Sequence, residues 1–267
     1  MTAPSSDFAL SEERRNRLRH TLARPSSARF TLRRRHVDIF YASEMENLPE
    51  GCKVLDLGGV RKSSMPGQFN ITRYNLDVIT LNIQQSANPH VIARAEDLPF
   101  PPATFDAVTC SEVLEHVHDP RIVLDEIARV LRPRGRLLLT VPLHYHIHAS
   151  PHDYGRYTDF FWTETLTGKG FSIDRMEKQG LYWSVLLDFF FLPLNAGSSA
   201  SRSILWRKFL KALLRWPLTW ARRWATARES DKNLVNHPIY AQYTTGYGIV
   251  AHLEKATTEP VAGKLDS

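Results

Sequence analysis

Residues 54–59 read VLDLGG: branched apolar side chains around one carboxylate, then two glycines. Such a run is a short buried strand that breaks abruptly at its carboxyl end. Asp77 stands 21 residues beyond Asp56, within the stretch ITRYNLDVI at 71–79, which reads as a second strand ending in an acid. A strand, a glycine turn and an acid about 20 residues later form the nucleotide-binding half of a doubly wound sheet. The turn lets a ligand approach backbone, and the acid accepts hydrogen bonds from ribose hydroxyls. Asp56, Gly58, Gly59 and Asp77 are therefore candidate cofactor-binding residues.

The rest of the chain extends this pattern. Residues 104–110 read as a fourth strand, so Ser111 and Glu112 fall at its carboxyl end, where open α/β sheets bind ligands. Asp119 and Pro120 start a helix as cap and first residue, with Ile122, Leu124, Ile127, Val130 and Leu131 as its apolar face. RPRG at 132–135 stops it, and a fifth strand follows at 136–141. A short helix is expected at 163–167, a sixth strand at 171–177, and its antiparallel partner at 245–253. His116 and His118 read as surface or capping histidines, with substrate contact by His116 the alternative.

The order of AEDLPF (95–100), FDAV (105–108), EVLEHV (112–117) and RPRG (132–135) resembles the class I S-adenosylmethionine (SAM)-dependent methyltransferases, the type 11 branch in particular. The likeness runs from about residue 54 to 171 and resumes near Tyr247. It implies an α/β fold, a doubly wound Rossmann-like seven-stranded sheet with an antiparallel last strand, here with a helical insertion between strands six and seven. It also implies S-adenosyl-L-methionine as cofactor and Asp77 as the ribose acid. Adenine is then held by backbone at Ala95 and Glu96, or by the Glu96 side chain. Two departures stand out. Of the family's G-x-G-x-G glycines only Gly58 is in register, with Val60 and Lys62 at the other two positions. Arg94 stands where the family carries an acid.

LHYHIHASPHDYGRYT at 143–158 leaves the fifth strand on the cofactor side of the sheet. Its His148, Pro151, Asp153, Arg156 and Thr158 resemble a pattern in methyltransferases of bacterial cell-surface glycan clusters. Methyl transfer to a hydroxyl needs a positioned acceptor and a base, and histidine suits that task. His148, Asp153 and Arg156 are the candidate catalytic residues, with an internal Asp153–Arg156 ion pair the structural alternative. His144, His146 and His148 would share one face of an extended strand. A metal site there is set aside, because no supporting acid stands beside the first two. The motif of base-amine methyltransferases, Asn/Asp-Pro-Pro-aromatic, does not follow the fourth strand.

Charge is uneven. Residues 1–36 and 202–228 together carry +14, leaving −8 to the rest of a chain of net +6. Basic appendages on an acidic body point to an anionic surface. Residues 181–194, LYWSVLLDFFFLPL, are too short and too interrupted by Asp188 to cross a bilayer. Residues 203–228 read as a helix kinked near Pro217, with Leu210, Leu213, Trp220 and Trp224 on one face and Arg207, Lys211, Arg215 and Arg222 on the other. That pattern fits an interfacial membrane helix; a lid packed on the core or on a second subunit is the alternative. Near the amino end, 31–47 reads as a helix whose Arg33–Arg35 is a solvated face or an anion grip, and Phe40 or Tyr41 could cover the cofactor. Cys52 and Cys110 give no disulfide framework, and the chain opens with no run of signal-peptide type.

The domains expected are a basic helical segment (1–47), a SAM-binding core (48–180), an apolar and basic helical insertion (181–242), the closing strand (243–254) and a disordered tail (255–267). The function expected is a cytoplasmic, membrane-associated SAM-dependent methyltransferase acting on a hydroxyl of a sugar or lipid-linked glycan precursor. Contact with the membrane would run through 203–228, with a homodimer as the other use of that helix. Nucleic acid is the less favoured partner, and no metal is expected. The alternatives are a non-catalytic interaction module of the same fold and an RNA methyltransferase.

Overall fold

The computed structural model describes residues 31–61, 69–195, 204–229, 232–235 and 237–254. The expectations for residues 1–30, for Lys62 and for the tail beyond 254 lie outside that range.

Seven strands form one sheet: β1 (Lys53–Leu57), β2 (Asp77–Asn82), β3 (Val91–Ile92), β4 (Phe105–Ser111), β5 (Leu131–Pro142), β6 (Phe171–Lys178) and β7 (Gly246–Leu253). Their order is β3-β2-β1-β4-β5-β7-β6. The pairs from β3 to β5 are parallel, and β7 runs antiparallel between β5 and β6. This is the doubly wound sheet with an antiparallel last strand that the sequence implies.

Both faces of the central strands are covered, so period-2 alternation sorts their side chains into two cores. Leu55, Val108, Cys110, Leu137 and Leu139 point to one core. Val54, Ala107, Leu138 and Val250 point to the other. The first is closed by α2 (Pro120–Val130) through Val123, Leu124, Ile127 and Val130, and by α3 (Asp159–Gly168) through Trp162 and Leu166. The second is closed by α1 (Leu32–Met45) through Val37, Phe40, Tyr41 and Met45. Phe40 and Tyr41 are therefore core residues; the Tyr41 hydroxyl donates to the Leu138 carbonyl at 3.2 Å.

Several expectations need correction. Residues Ile71–Arg73 form a 3₁₀ turn, capped by Asn70, and β2 begins at Asp77 rather than ending there. Ile122 is exposed, and the buried face of α2 uses Val123 instead. RPRG does not separate helix from strand: Leu131 pairs with Phe105 and Arg136 with Ala107, so 132–135 bulge out of a single strand. Helix α3 starts a turn earlier than its apolar pattern indicates. Arg33 is not solvated; it is buried, and the anion it pairs with is the chain's own Glu112.

The insertion is a helical pair, α4 (Tyr182–Asn195) and α5 (Ile204–Arg228), followed by the short α6 (Lys232–Val235). Asp188, which interrupts the apolar run, has a definite task. Its two carboxylate oxygens accept the N–H groups of Leu32 (2.7 Å) and Arg33 (2.9 Å), satisfying orphan donors at the start of α1. Glu229, just past α5, does the same for α4 through the N–H (2.7 Å) and hydroxyl (2.6 Å) of Ser184. Arg222 is buried and faces the Asp188 charge, while Trp216 and Trp220 are 82% and 69% exposed. The expected two-faced helix is thus turned over at these positions, with a cation inward and indoles outward. No helix among the described residues is long and apolar enough to cross a membrane.

Candidate active site

The carboxyl ends of β1, β2 and β4, paired in parallel, lie side by side at one edge of the sheet. At β1 the chain turns through Gly58, at φ +77°, and Gly59. A Cβ on Gly58 would overlap Val113, and one on Gly59 would overlap the Asp56 carboxylate. The turn is thus bare backbone by necessity. Asp56 is partly buried and accepts the Thr109 hydroxyl at 2.9 Å. Burial pushes its carboxyl up to about 6.

Asp77 is not at this edge. It lies in register with Lys53 at the amino end of the sheet, exposed, its N–H donating to the Cys52 carbonyl at 3.0 Å. A residue that follows the parallel strand to its other end is needed, and that residue is Asn82. Its Nδ2 donates to the carbonyls of Gly58 (2.8 Å) and Gly59 (3.0 Å), while its Oδ1 accepts the N–H of Gln84 at 2.9 Å. A carboxylate could not donate those two bonds.

The loop bearing Ala95 and Glu96 is fixed from behind. Glu126 accepts the Leu98 N–H at 2.8 Å, and Arg129 donates to the carbonyls of Leu98 (2.9 Å) and Phe100 (2.7 Å). Arg129 and Glu126 also pair with each other at 2.7 Å, which lowers the Glu126 carboxyl. Ala95 is buried; Glu96 pairs with the exposed Arg94 at 2.7 Å.

Beyond β4 the chain kinks at Glu112, at φ +53°. The Glu112 carboxylate is gripped by Arg33 through Nε (3.1 Å) and Nη2 (2.5 Å), and Arg33 Nη1 donates to Gln179 at 2.8 Å. Glu112 is therefore held by α1. Ser111 sits 3.4 Å from the Thr140 hydroxyl.

The loop after β5 folds over this edge. The Tyr154 N–H donates to the Glu115 carbonyl at 2.8 Å, and His116 Nδ1 lies 2.7 Å from the His152 carbonyl. Asp153 accepts the His148 N–H (2.7 Å) and two bonds from Arg156 (2.5 and 2.8 Å). Arg156 holds the Asp153 carboxyl down to about 2. The predicted trio of His148, Asp153 and Arg156 is thus assembled, and the Asp153–Arg156 ion pair is part of it. Burial, with His116 adjoining, lowers His148, which favours its neutral form. The three alternating histidines do not share a face. His144 turns away to the Thr244 carbonyl at 2.8 Å, whereas His148 meets His116, ring centres 4.7 Å apart.

Glu115, within EVLEHV, was passed over in the sequence reading. It is 2% exposed, and burial, then the Glu112 charge, pushes its carboxyl up to about 8. Its spacing of three from Glu112 was the available signal. Arg33 and Gln179 carried none, being distant in sequence and joined only by the fold.

Comparison with known proteins agrees with this geometry. The family described as "Methyltransferase domain" matches residues 65–139. Over 49 residues the chain is 53% identical to a demethylmenaquinone methyltransferase of Clavibacter sepedonicus, covering 18% of this chain and 20% of that one. Over 99 residues it is 32% identical to a ubiquinone biosynthesis O-methyltransferase of Paracidovorax citrulli, covering 32% and 42%. The chain thus spans less than half the length of these relatives. Among solved structures, the [4+2]-cyclase SpnF superposes with a TM-score of 0.56 at 16% identity, over 95% of this chain and 98% of that one. Sheet order and matched segment define a class I methyltransferase fold. The glycan-cluster branch of that family rests on the 148–158 pattern alone.

Proposed function

We propose that this chain is an S-adenosyl-L-methionine-dependent O-methyltransferase whose acceptor is a hydroxyl of a sugar or lipid-linked glycan precursor at a membrane surface. The observation that carries the reading is a carboxyl edge of the sheet with two unlike halves. One half is a turn that excludes side chains; the other is a histidine-bearing polar loop.

The residues fit the cofactor. The Gly58–Gly59 turn, held without side chains by Val113 and Asp56, offers bare backbone to the cofactor, and Asn82 replaces the usual ribose acid with an amide. Ala95 and Glu96 line the adenine side on a loop clamped by Arg129. When bound, the cofactor supplies an electrophilic methyl on a sulfonium. His148, kept neutral by burial, serves the acceptor hydroxyl, and Asp153 and Arg156 fix its loop. Relatives named for O-methylation in quinone biosynthesis support a hydroxyl acceptor, and the 148–158 pattern supports a sugar. Outward Trp216 and Trp220, with Phe189 and Phe190 on α4 at 50% and 57% exposure, support contact with a lipid interface.

Incubation with methyl-tritiated cofactor and a cell extract, then separation into lipid-linked saccharide, quinone, protein and RNA fractions, tests this. Label in the saccharide fraction is expected. Label confined to quinone or RNA would overturn the acceptor, and label in no fraction would overturn the activity.

A further inference from the structure

We propose that Glu115, His116 and His148 bind one divalent metal ion of the imidazole-preferring class, such as zinc or cobalt, on the acceptor side of the sheet's carboxyl edge. One ligand atom from each of the three lies within 4.8 Å of the others. Nε2 of His116 is 3.6 Å and Nε2 of His148 4.0 Å from Oε1 of Glu115. Donors at about 2.1 Å from a tetrahedral ion stand about 3.4 Å apart, so the two contacts to Glu115 are close to that spacing, and the imidazole pair has to close on it from at most 4.8 Å.

Three independent features favour an ion over a chance cluster. The first is Glu115 itself, buried with no hydrogen bond to either carboxylate oxygen. A buried carboxylate in that condition is normally paired or bound to metal. The second is the support behind each ring. The His152 carbonyl lies 2.7 Å from His116 Nδ1, and the His146 carbonyl and Asp153 each lie 3.3 Å from His148 Nδ1, nearer than the Arg156 guanidinium at 3.5 Å. Partners on Nδ1 are what orient an imidazole to ligate through Nε2. The third is the donor set: two imidazoles and a carboxylate, leaving open positions, match catalytic rather than structural sites.

The catalytic meaning, though not the binding, rests on the methyltransferase reading. An acceptor hydroxyl in the open position is polarised by the ion and releases its proton to water. Its oxygen lone pair then forms the bond to the methyl carbon as the carbon–sulfur pair returns to sulfur. His148 acts through the ion in this scheme rather than as a free base.

The test uses untagged full-length protein, stripped with chelator and titrated with Co²⁺ while visible absorption is read, then displaced with Zn²⁺. One equivalent should bind. Glu115→Gln, nearly isosteric, and His148→Ala, in a loop, should each weaken binding about 100-fold, and Asp153→Asn about 10–100-fold. His118→Ala, an exposed neighbour, should leave it unchanged. Less than a tenth of an equivalent bound, or binding indifferent to Glu115→Gln and His148→Ala, would overturn the proposal. Calorimetry with SAM on the same samples separates the two readings. Cobalt bound without SAM keeps the metal site and removes the methyltransferase; SAM bound without cobalt removes the metal site alone.

Discussion

Burial pushes the Asp56 carboxyl to about 6, well above its unfolded value of about 3.9, so the folded protein holds that proton more tightly than the unfolded chain. Between those two values the native state binds more protons, and stability falls as pH rises from about 4 to about 6, then stays level. The shift corresponds to about 2–3 kcal/mol at neutral pH. Asp56→Asn keeps an acceptor for Thr109 and removes the ionisation. It should therefore gain melting temperature over wild type as pH rises through that window, by about 2–4 °C per kcal/mol, and show no such gain near pH 3.5. Thermal scans at pH 3.5 and 7.5 check this; a gain independent of pH would place the carboxyl's ordinary pKa in the fold. Asn82 poses the matching question of geometry. Its amide holds both carbonyls of the glycine turn, so Asn82→Asp should weaken cofactor binding, although it restores the acid usual in the family, because two carbonyls would then face a carboxylate. Tighter binding in that variant would show that the turn does not depend on the amide.

Element by element, periodicity gave what it physically encodes. Alternation in VLDLGG and FDAV located β1 and β4, and the Asp119-Pro120 pair located α2 to the residue. What failed was the reading of ends. ITRYNLDVI contains an apolar beat that continues through a 3₁₀ turn, so Asp77 looked like a strand's last residue when it is the first. That one error left the expected ribose acid at the amino end of β2. Asp188 was equally illegible, since its partners are backbone N–H groups of Leu32 and Arg33, more than 150 residues away. Removing that cap by Asp188→Ala leaves orphan donors at the start of α1 and takes the nearest opposite charge from buried Arg222. A loss of about 1–3 kcal/mol in urea unfolding is expected, against less than about 0.5 for Asp125→Ala at an exposed site.

Across the whole molecule, contacts run from the helical insertion to the site. Glu229 caps α4, Asp188 of α4 caps α1, and Arg33 of α1 grips Glu112 beside the site. The insertion is thereby tied to the carboxyl edge of the sheet, while its Trp216 and Trp220 face outward. In flotation with vesicles containing anionic lipid, the double variant Trp216→Ala, Trp220→Ala should lose most of the bound fraction while retaining cofactor affinity; equal flotation would remove the membrane from the account. The central claim is that the cofactor sits over the glycine turn and Asn82, away from Asp77. Calorimetric titration with S-adenosyl-L-methionine of wild type, Asn82→Ala and Asp77→Ala tests it most directly. The account predicts micromolar binding that weakens about tenfold or more in Asn82→Ala, the loss of two hydrogen bonds, and is unchanged in Asp77→Ala. Binding lost in Asp77→Ala and kept in Asn82→Ala, or no binding by the folded wild type, would contradict it.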